Sequence, residues 1–272
     1  ILQMKIIYKK HDLIKILDNK KNIGFVPTMG SIHNGHLSLI RKSIKECNIT
    51  IVSIFINRPQ FNKKDDYINY PKKLKKDIFL LNKTKVDFVY IPSELDIYPN
   101  GHNAKIKIIA FSKILCGKYR PGHFKAIVDV VDRFIDIIKP KKIFMGEKDY
   151  QQYKIVEHFV KKKYKKVSVV CCKTIREKNG AALSSRNFLL SKKEKVIAGL
   201  IYSFLKNNKQ KIFDKFFSLN FIKNKILKFG ANKIDYIKML NVNKIIKPYK
   251  KTKKNKIFIA YYLKSTRLID NI

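Results

Sequence analysis

The 272 residues, 45% of them hydrophobic, can bury a full core in one large or two modest domains, and no apolar run approaches the ~20 residues needed to cross a bilayer. The formal net charge of +40 comes almost wholly from lysine scattered along the chain, alongside abundant Ile and Asn and no Trp; this is the residue usage of an A+T-rich coding sequence, so the charge implies no specific nucleic-acid partner. The opening ILQMKIIYKKHDL is too short and too charged for a secretory signal. Cys47, Cys116, Cys171 and Cys172 form no C-x-x-C pair, and the adjacent Cys171 and Cys172 lie in an apolar, strand-like run, which suits reduced, buried thiols in a cytoplasmic protein.

In chain order, the first two thirds alternate strand-like and helix-like runs. IGFVPT (23–28) and TIVSIFIN (50–57) are β-rich, and LSLIRKSIKECN (37–48) between them has helical spacing. YPKKLKKDIFLLNKT (70–84) reads as a helix and VDFVYIP (86–92) as the next strand. FKAIVDVVDRFIDIIKP (124–140) sets Ile127, Val131, Phe134, Ile135 and Ile138 on one helical face and stops at Pro140. KIFMG (142–146) is strand-like, YQQYKIVEHFVKKKY (150–164) helical, and VSVVCCKTI (167–175) a further strand. The alternation predicts right-handed crossovers and a mostly parallel sheet whose ligands bind beyond the carboxyl ends of its strands. After REKNGAALSSRN (176–187) the pattern changes. SKKEKVIAGLIYSFLKNN (191–208) and FSLNFIKNKILKFG (217–230) read as helices, and IDYIKMLN (234–241) and KIFIAYYL (256–263) as strands. A smaller α+β domain is therefore expected over residues 175–272, after a larger one over residues 1–174. The lysine clusters KKKYKK (161–166) and KPYKKTKKNK (247–256) read as surface turns.

Where the first strand gives way to a helix lies PTMGSIHNGH (27–36). Gly30 and Gly35 let the backbone approach a ligand, and the free N–H groups of the helix start favour an anion. His33 and His36, three apart, fall on one side of that first turn and can donate to a phosphate. The spacing fits neither a Walker loop nor the dinucleotide G-x-G-x-x-G. A zinc site would need a third ligand that no nearby His, Cys or carboxylate is spaced to supply. Taken alone, the pair also fits one packed and one exposed histidine; the pair Lys148 and Asp149 fits a solvated first turn, and SSRN (184–187) fits a helix cap.

PTMGSIHNGH resembles the signature of the H-x-G-H nucleotidyltransferases, which implies a Rossmann-like, mostly parallel nucleotide-binding domain. VSIFINRPQF, DDYINYPKKLKKD, LCGKYRPGHF, FMGEKDYQQ, REKNGAALSSRN and TRLIDN then follow in the order and spacing of the pantoate–β-alanine ligases. That resemblance, from about residue 23 to the C-terminus, implies an ATP-driven ligase joining (R)-pantoate to β-alanine through an acyl adenylate, with AMP and diphosphate released and Mg²⁺ accompanying the triphosphate. It implies that Met29, Gly30, Ser31, Ile32, His33, Asn34, Gly35 and His36 form the ATP loop, with His36 the general-acid histidine and His33 its phosphate-contacting partner. Gly146, Glu147, Lys148 and Asp149 are implied to serve phosphate and ribose. Leu183, Ser184, Ser185 and Arg186 are implied to hold the β- and γ-phosphates, and Ile175 to meet adenine through its backbone. Gln60 and Gln152 match the pantoate-binding pair, Gln60 also meeting β-alanine, with Asn57 shaping the pocket. No residue is expected to ligate a metal directly. The family also implies a homodimer, and the smaller domain would be its lid. Two alternatives stand beside this reading: another H-x-G-H nucleotidyltransferase that does not use β-alanine, and a polyanion binder exploiting the charge.

The chain departs from the family at a few places. The usual Asn-Pro-x-Gln-Phe is Asn57-Arg58-Pro59-Gln60-Phe61, so the proline has moved one place toward Gln60. Ala126 stands where glycine is usual and Asp129 where a small hydroxyl residue is usual. These departures are expected to affect stability rather than to abolish activity.

Overall fold

The computed structural model describes residues 4–103, 105–242 and 255–272, and the chain divides into two compact units, Ile1–Lys173 and Thr174–Ile272. In the first, the elements run β1 (Lys5–Ile7), α1 (Lys10–Leu17), β2 (Ile23–Thr28), α2 (Asn34–Glu46), β3 (Ile49–Ile54), α3 (Lys64–Ile68), α4 (Leu74–Asn82), β4 (Phe88–Tyr90), α5 (Glu94–Ile97), α6 (Cys116–Tyr119), α7 (His123–Ile138), β5 (Lys142–Gly146), α8 (Tyr150–Lys163) and β6 (Ser168–Cys172). The second contains α9 (Lys192–Asn207), α10 (Lys209–Phe213), α11 (Leu219–Lys228), β7 (Lys233–Asn241), β8 (Asn255–Leu263) and β9 (Thr266–Asn271).

The six strands of the first unit form one sheet in the order β1-β4-β3-β2-β5-β6, every pairing parallel. Such a sheet is buried on both faces, so its strands read as continuous apolar runs. Val26, Val52, Val89 and Phe144 join α2 and α4 residues such as Leu37, Ile40 and Leu81 in one core. Alternate residues face α7, where the Phe134 ring meets Phe25 at 5.3 Å and Tyr90 and Phe55 at 6.1 Å. Close packing of α2 on β2 needs Gly24: a Cβ there would stand 2.1 Å from Ser43 Oγ. The chain runs from β2 through β3 to β4 on one side and places β5 and β6 on the other, so strand order reverses between β2 and β5. Such a reversal opens a crevice at the carboxyl ends of the strands.

The structure revises several local expectations. The five residues assigned to one face of α7 are buried, but so are Val128, Asp129, Val130, Asp132 and Ile137, because this helix is enclosed nearly all round. Cys116 and Cys172 are buried, whereas Cys47 and Cys171 are only half-buried. KKKYKK is not all turn: Lys161, Lys162 and Lys163 complete the last turn of α8, and the Tyr164 hydroxyl reaches the carboxylates of Asp132 and Asp136. Most of KPYKKTKKNK lies outside the described residues. The terminal TRLIDN is itself strand β9, which completes an antiparallel sheet β7-β8-β9. Ile197, Ile201 and Leu205 of α9 and Ile222 and Ile226 of α11 share a core with Ile257 and Ile259 of β8.

Candidate active site

The loop leaving β2 is bent by two successive left-handed residues, Gly30 at φ 77° and Ser31 at φ 54°. Glycine at position 30 is required twice over, since a Cβ would also stand 3.0 Å from Asp77 Oδ2 and 3.2 Å from Ile54. Three hydrogen bonds fix the loop. Gly30 N–H donates to Thr28 Oγ1 at 3.1 Å, and Ser31 and Ile32 N–H each donate to one oxygen of Asp77 at 2.7 Å. Asp77, in the first turn of α4, is 2% exposed. Burial pushes its carboxyl upward, although both backbone donors oppose the shift.

His33 is the N-cap of α2 and accepts from Gly35 N–H through Nδ1 at 3.1 Å. Nδ1 is therefore the unprotonated nitrogen of the neutral ring, and the Nε2–H donor remains for a ligand. Burial, then the charge of Lys148, lowers His33 to about 4. The His36 ring stacks on it at 4.0 Å and 27°. His36 is held well below its ordinary range by burial, then by His33 and Lys148. Its Nδ1 is sealed from solvent and has no hydrogen-bond partner among the described residues. Without a ligand, both imidazoles are thus neutral near pH 7.

On the neighbouring strand, β5 ends at Gly146, where an added Cβ would meet nothing within 4 Å. The 3-10 turn Glu147–Asp149 follows and leads into α8, with Lys148 Nζ 3.5 Å from Asp149 Oδ1. In the first turn of α8 two adjacent glutamines differ. Gln151 is consumed by backbone groups, accepting from Cys116 N–H and donating to the carbonyls of Phe111 and Ile114, while Gln152 is half-buried beside it.

Gln60 closes the 3-10 turn Arg58–Gln60, which accommodates the shifted proline. Pro59 occupies its second place, and the turn is closed instead by Gln60 N–H to Asn57 O at 3.2 Å and Phe61 N–H to Arg58 O at 3.0 Å. Gln60 Oε1 accepts from Asn57 Nδ2, and its Nε2 lies against Met29 Sδ. Its main-chain carbonyl accepts from Arg120 Nη2 at 3.0 Å and from His123 Nδ1–H at 2.7 Å. His123 Nε2 in turn accepts from Arg120 Nη1 at 2.9 Å. Asp77, Arg120 and His123 lie in the quoted stretches DDYINYPKKLKKD and LCGKYRPGHF but were given no role from sequence: each acts on a residue 45 or more positions away, and only topology brings them there.

The remaining sequence-predicted residues lie in the second unit and are gathered there in one folded loop. Leu183 N–H donates to Ile175 O at 3.0 Å, Arg176 and Ala182 bridge, and Glu177 N–H meets Ala181 O. Ser184 is the N-cap of the 3-10 turn Ser185–Leu189, its hydroxyl accepting from Arg186 N–H, and Ser185 is buried. The loop is pinned by a bidentate pair from Arg176 to Asp270 at 2.6 and 3.0 Å, with Arg176 also 4.0 Å from the centre of the Tyr202 ring.

Chemically, the first unit offers two stacked, neutral imidazoles at the start of α2 and the nearby ammonium of Lys148, at the point where the sheet reverses. That is a surface for positioning a polyphosphate and stabilising charge that builds on it. Comparison with known proteins agrees. The family Pantoate-beta-alanine ligase matches residues 4–272. The pantothenate synthetase of Francisella tularensis subsp. novicida is 41% identical over 266 residues, 97% of this chain and 94% of that protein. A Francisella tularensis pantoate-beta-alanine ligase, solved in complex with beta-gamma ATP and beta-alanine, has a TM-score of 0.84 at 39% identity, covering 99% of this chain and 97% of that one. The pantothenate synthetase of Thermus thermophilus gives 0.91 at 30% identity over 99% of both chains. This chain belongs to the pantoate–β-alanine ligase family.

Proposed function

We propose that the chain condenses (R)-pantoate with β-alanine, driven by ATP, through a pantoyl adenylate. The observation that carries this is the stacked, neutral His33–His36 pair at the start of α2, beside Lys148, on a loop fixed by Asp77. A carboxylate is a poor acyl donor to an amine. A pantoate carboxylate oxygen therefore first attacks the α-phosphorus of ATP, forming an O–P bond as the bond to diphosphate breaks. The amine of β-alanine then attacks the acyl carbon, the C–O bond to AMP breaks, and the amine proton passes to solvent. No covalent enzyme intermediate is needed, so the serines and cysteines serve no nucleophilic role.

In this reading residues 29–36 and residues 146–149 bind ATP. The N–H groups of Gly30, Ser31, Ile32 and Gly35 hold the loop itself, so His33, His36 and Lys148 meet phosphate oxygens, and Asp149 accepts from a ribose hydroxyl. The negative charge of ATP favours donation from these rings, and His33, whose Nδ1 is committed to capping α2, offers its Nε2–H to the phosphates. His36, with His33 beside it, assists departure of diphosphate. Gln60 and Gln152 orient pantoate, since neutral amides hold a carboxylate without stabilising its charge against attack, and Asn57 supports Gln60. In the second unit, Leu183, Ser184, Ser185 and Arg186 are assigned to the β- and γ-phosphates, and Ile175 to adenine through its backbone. Mg²⁺ fits as a companion of the triphosphate, held by phosphate oxygens and water: both oxygens of Asp77 are engaged by backbone N–H groups and Asp149 is paired with Lys148. It would neutralise phosphate charge. We assign the working form to a cytoplasmic homodimer.

The test is release of diphosphate, AMP and pantothenate by purified protein with ATP, Mg²⁺ and pantoate, with and without β-alanine. AMP and pantothenate should appear only with all substrates. Absence of any pantoate-dependent diphosphate release would overturn the reading in favour of another nucleotidyl transfer.

A further inference from the structure

We propose that Tyr98 is a positioning residue for pantoate, its hydroxyl setting the amide of Asn57 and, through it, the amide of Gln60. The inference rests on the assignment of Gln60 to pantoate. Asn57 is 1% exposed and uses both ends of its amide. Its Nδ2 donates to the Ala126 carbonyl at 3.1 Å and to Gln60 Oε1 at 3.2 Å, while its Oδ1 accepts from the Tyr98 hydroxyl at 2.8 Å. A carbonyl can only accept, so the Ala126 contact identifies the nitrogen end of Asn57, and the Tyr98 hydroxyl must be the donor to the other end. With an Asn57 N–H aimed at it, Gln60 can present only its oxygen there. Its Nε2 is thereby turned the other way, toward Met29, with donors for a carboxylate or hydroxyl oxygen. Reversing the Asn57 amide would set its oxygen against both the Ala126 carbonyl and Gln60 Oε1 and would leave the Tyr98 hydroxyl without its acceptor.

Tyr98 is itself held from several directions. Its ring lies 4.0 Å from His102 and 6.3 Å from Phe55, and the Arg133 guanidinium stands 4.7 Å from the ring centre. Arg133 donates to the carbonyls of Ile97 and Gly101, on either side of Tyr98, and pairs with Asp129 at 2.9 Å. Burial raises the Tyr98 hydroxyl above its ordinary range, so it remains a donor throughout the working pH. Asp129, one of the departures visible in the sequence, thus anchors the support of the pantoate site in this chain.

Tyr98→Phe removes the donor and keeps the ring and its packing. The experiment measures pantoate and ATP KM in pantoate-dependent diphosphate release for the parent, Tyr98→Phe and Gln60→Ala. We expect Tyr98→Phe to raise pantoate KM about tenfold, the effect of losing one buried hydrogen bond, with ATP KM within about twofold of the parent. A merely structural role would move both constants or neither. If Gln60→Ala raises pantoate KM and Tyr98→Phe does not, the positioning role is overturned while the pantoate site stands. If neither variant changes pantoate KM, the assignment of Gln60 fails and the inference fails with it.

Discussion

At the scale of single residues, the two histidines show how a motif gains its chemistry from surroundings the motif does not contain. His33 must keep Nδ1 unprotonated to cap α2, and burial together with Lys148 favours the same state. Its depressed pKa has a consequence for stability. Between pH 6.5 and about 4 the unfolded chain takes up a proton at His33 that the folded chain refuses, so stability is complete above 6.5 and is lost as pH falls through this window. His36 adds to the same trend. His33→Asn retains an N-cap acceptor and removes one titrating group. Urea midpoints at pH 7 and pH 5 should therefore differ less in the variant than in the parent; an unchanged difference would mean that His33 is not held neutral in the fold. The arginines, scarce in a lysine-rich chain, are largely committed to structure. Arg176 pins the loop bearing Ser184 to Arg186 through Asp270, Arg267 pairs with Asp235 at 2.8 Å, and Arg120 holds the Gln60 carbonyl.

At the scale of elements, the loop after β2 is a left-handed turn whose shape is imposed by a helix from elsewhere in the chain. Asp77 of α4 gives each carboxylate oxygen to one N–H, and Asp77→Asn would replace one acceptor by a donor facing Ser31 or Ile32. The expected cost is about 1–3 kcal/mol of stability, the penalty for a buried donor left unmet. ATP KM should rise while pantoate KM stays near its original value, because Gln60 is held separately by Asn57, Arg120 and His123. A variant with unchanged ATP KM would show that the loop keeps its shape without the clamp. This also marks where sequence reading reached its limit. Apart from α1, which was not read, the long helices were legible because their apolar residues repeat at helical spacing. In contrast, β1, α3, α5, α6 and α10, each five residues or fewer, are too short to carry a period. The histidine pair was legible because its members are neighbours in sequence. Asp77, 46 positions from Ser31, was visible only as the end of DDYINYPKKLKKD, and nothing local told its role as the clamp of a distant loop.

For the molecule as a whole, alternation of strand and helix made the parallel sheet of the first unit legible, and the change of pattern near REKNGAALSSRN marked the second. Strand β9 was masked by its own role: TRLIDN drew notice as a motif, and its Asp270 binds Arg176 while its backbone completes a sheet. The charge acts at this scale too. With 60 basic against 20 acidic residues, pairing leaves most cations facing one another, and repulsion over the folded surface opposes compaction. Raising the ionic strength shortens the screening length from about 30 Å at 0.01 M to about 3 Å at 1 M. The same salt weakens ion pairs such as Arg176–Asp270 and Lys163–Asp132, but these are partly buried and few beside the unpaired excess. Screened repulsion should therefore prevail, and the melting temperature should rise with sodium chloride across that range. A melting temperature that falls with salt would mean that the acidic residues are placed well enough for their pairs to outweigh a threefold excess of positive charge.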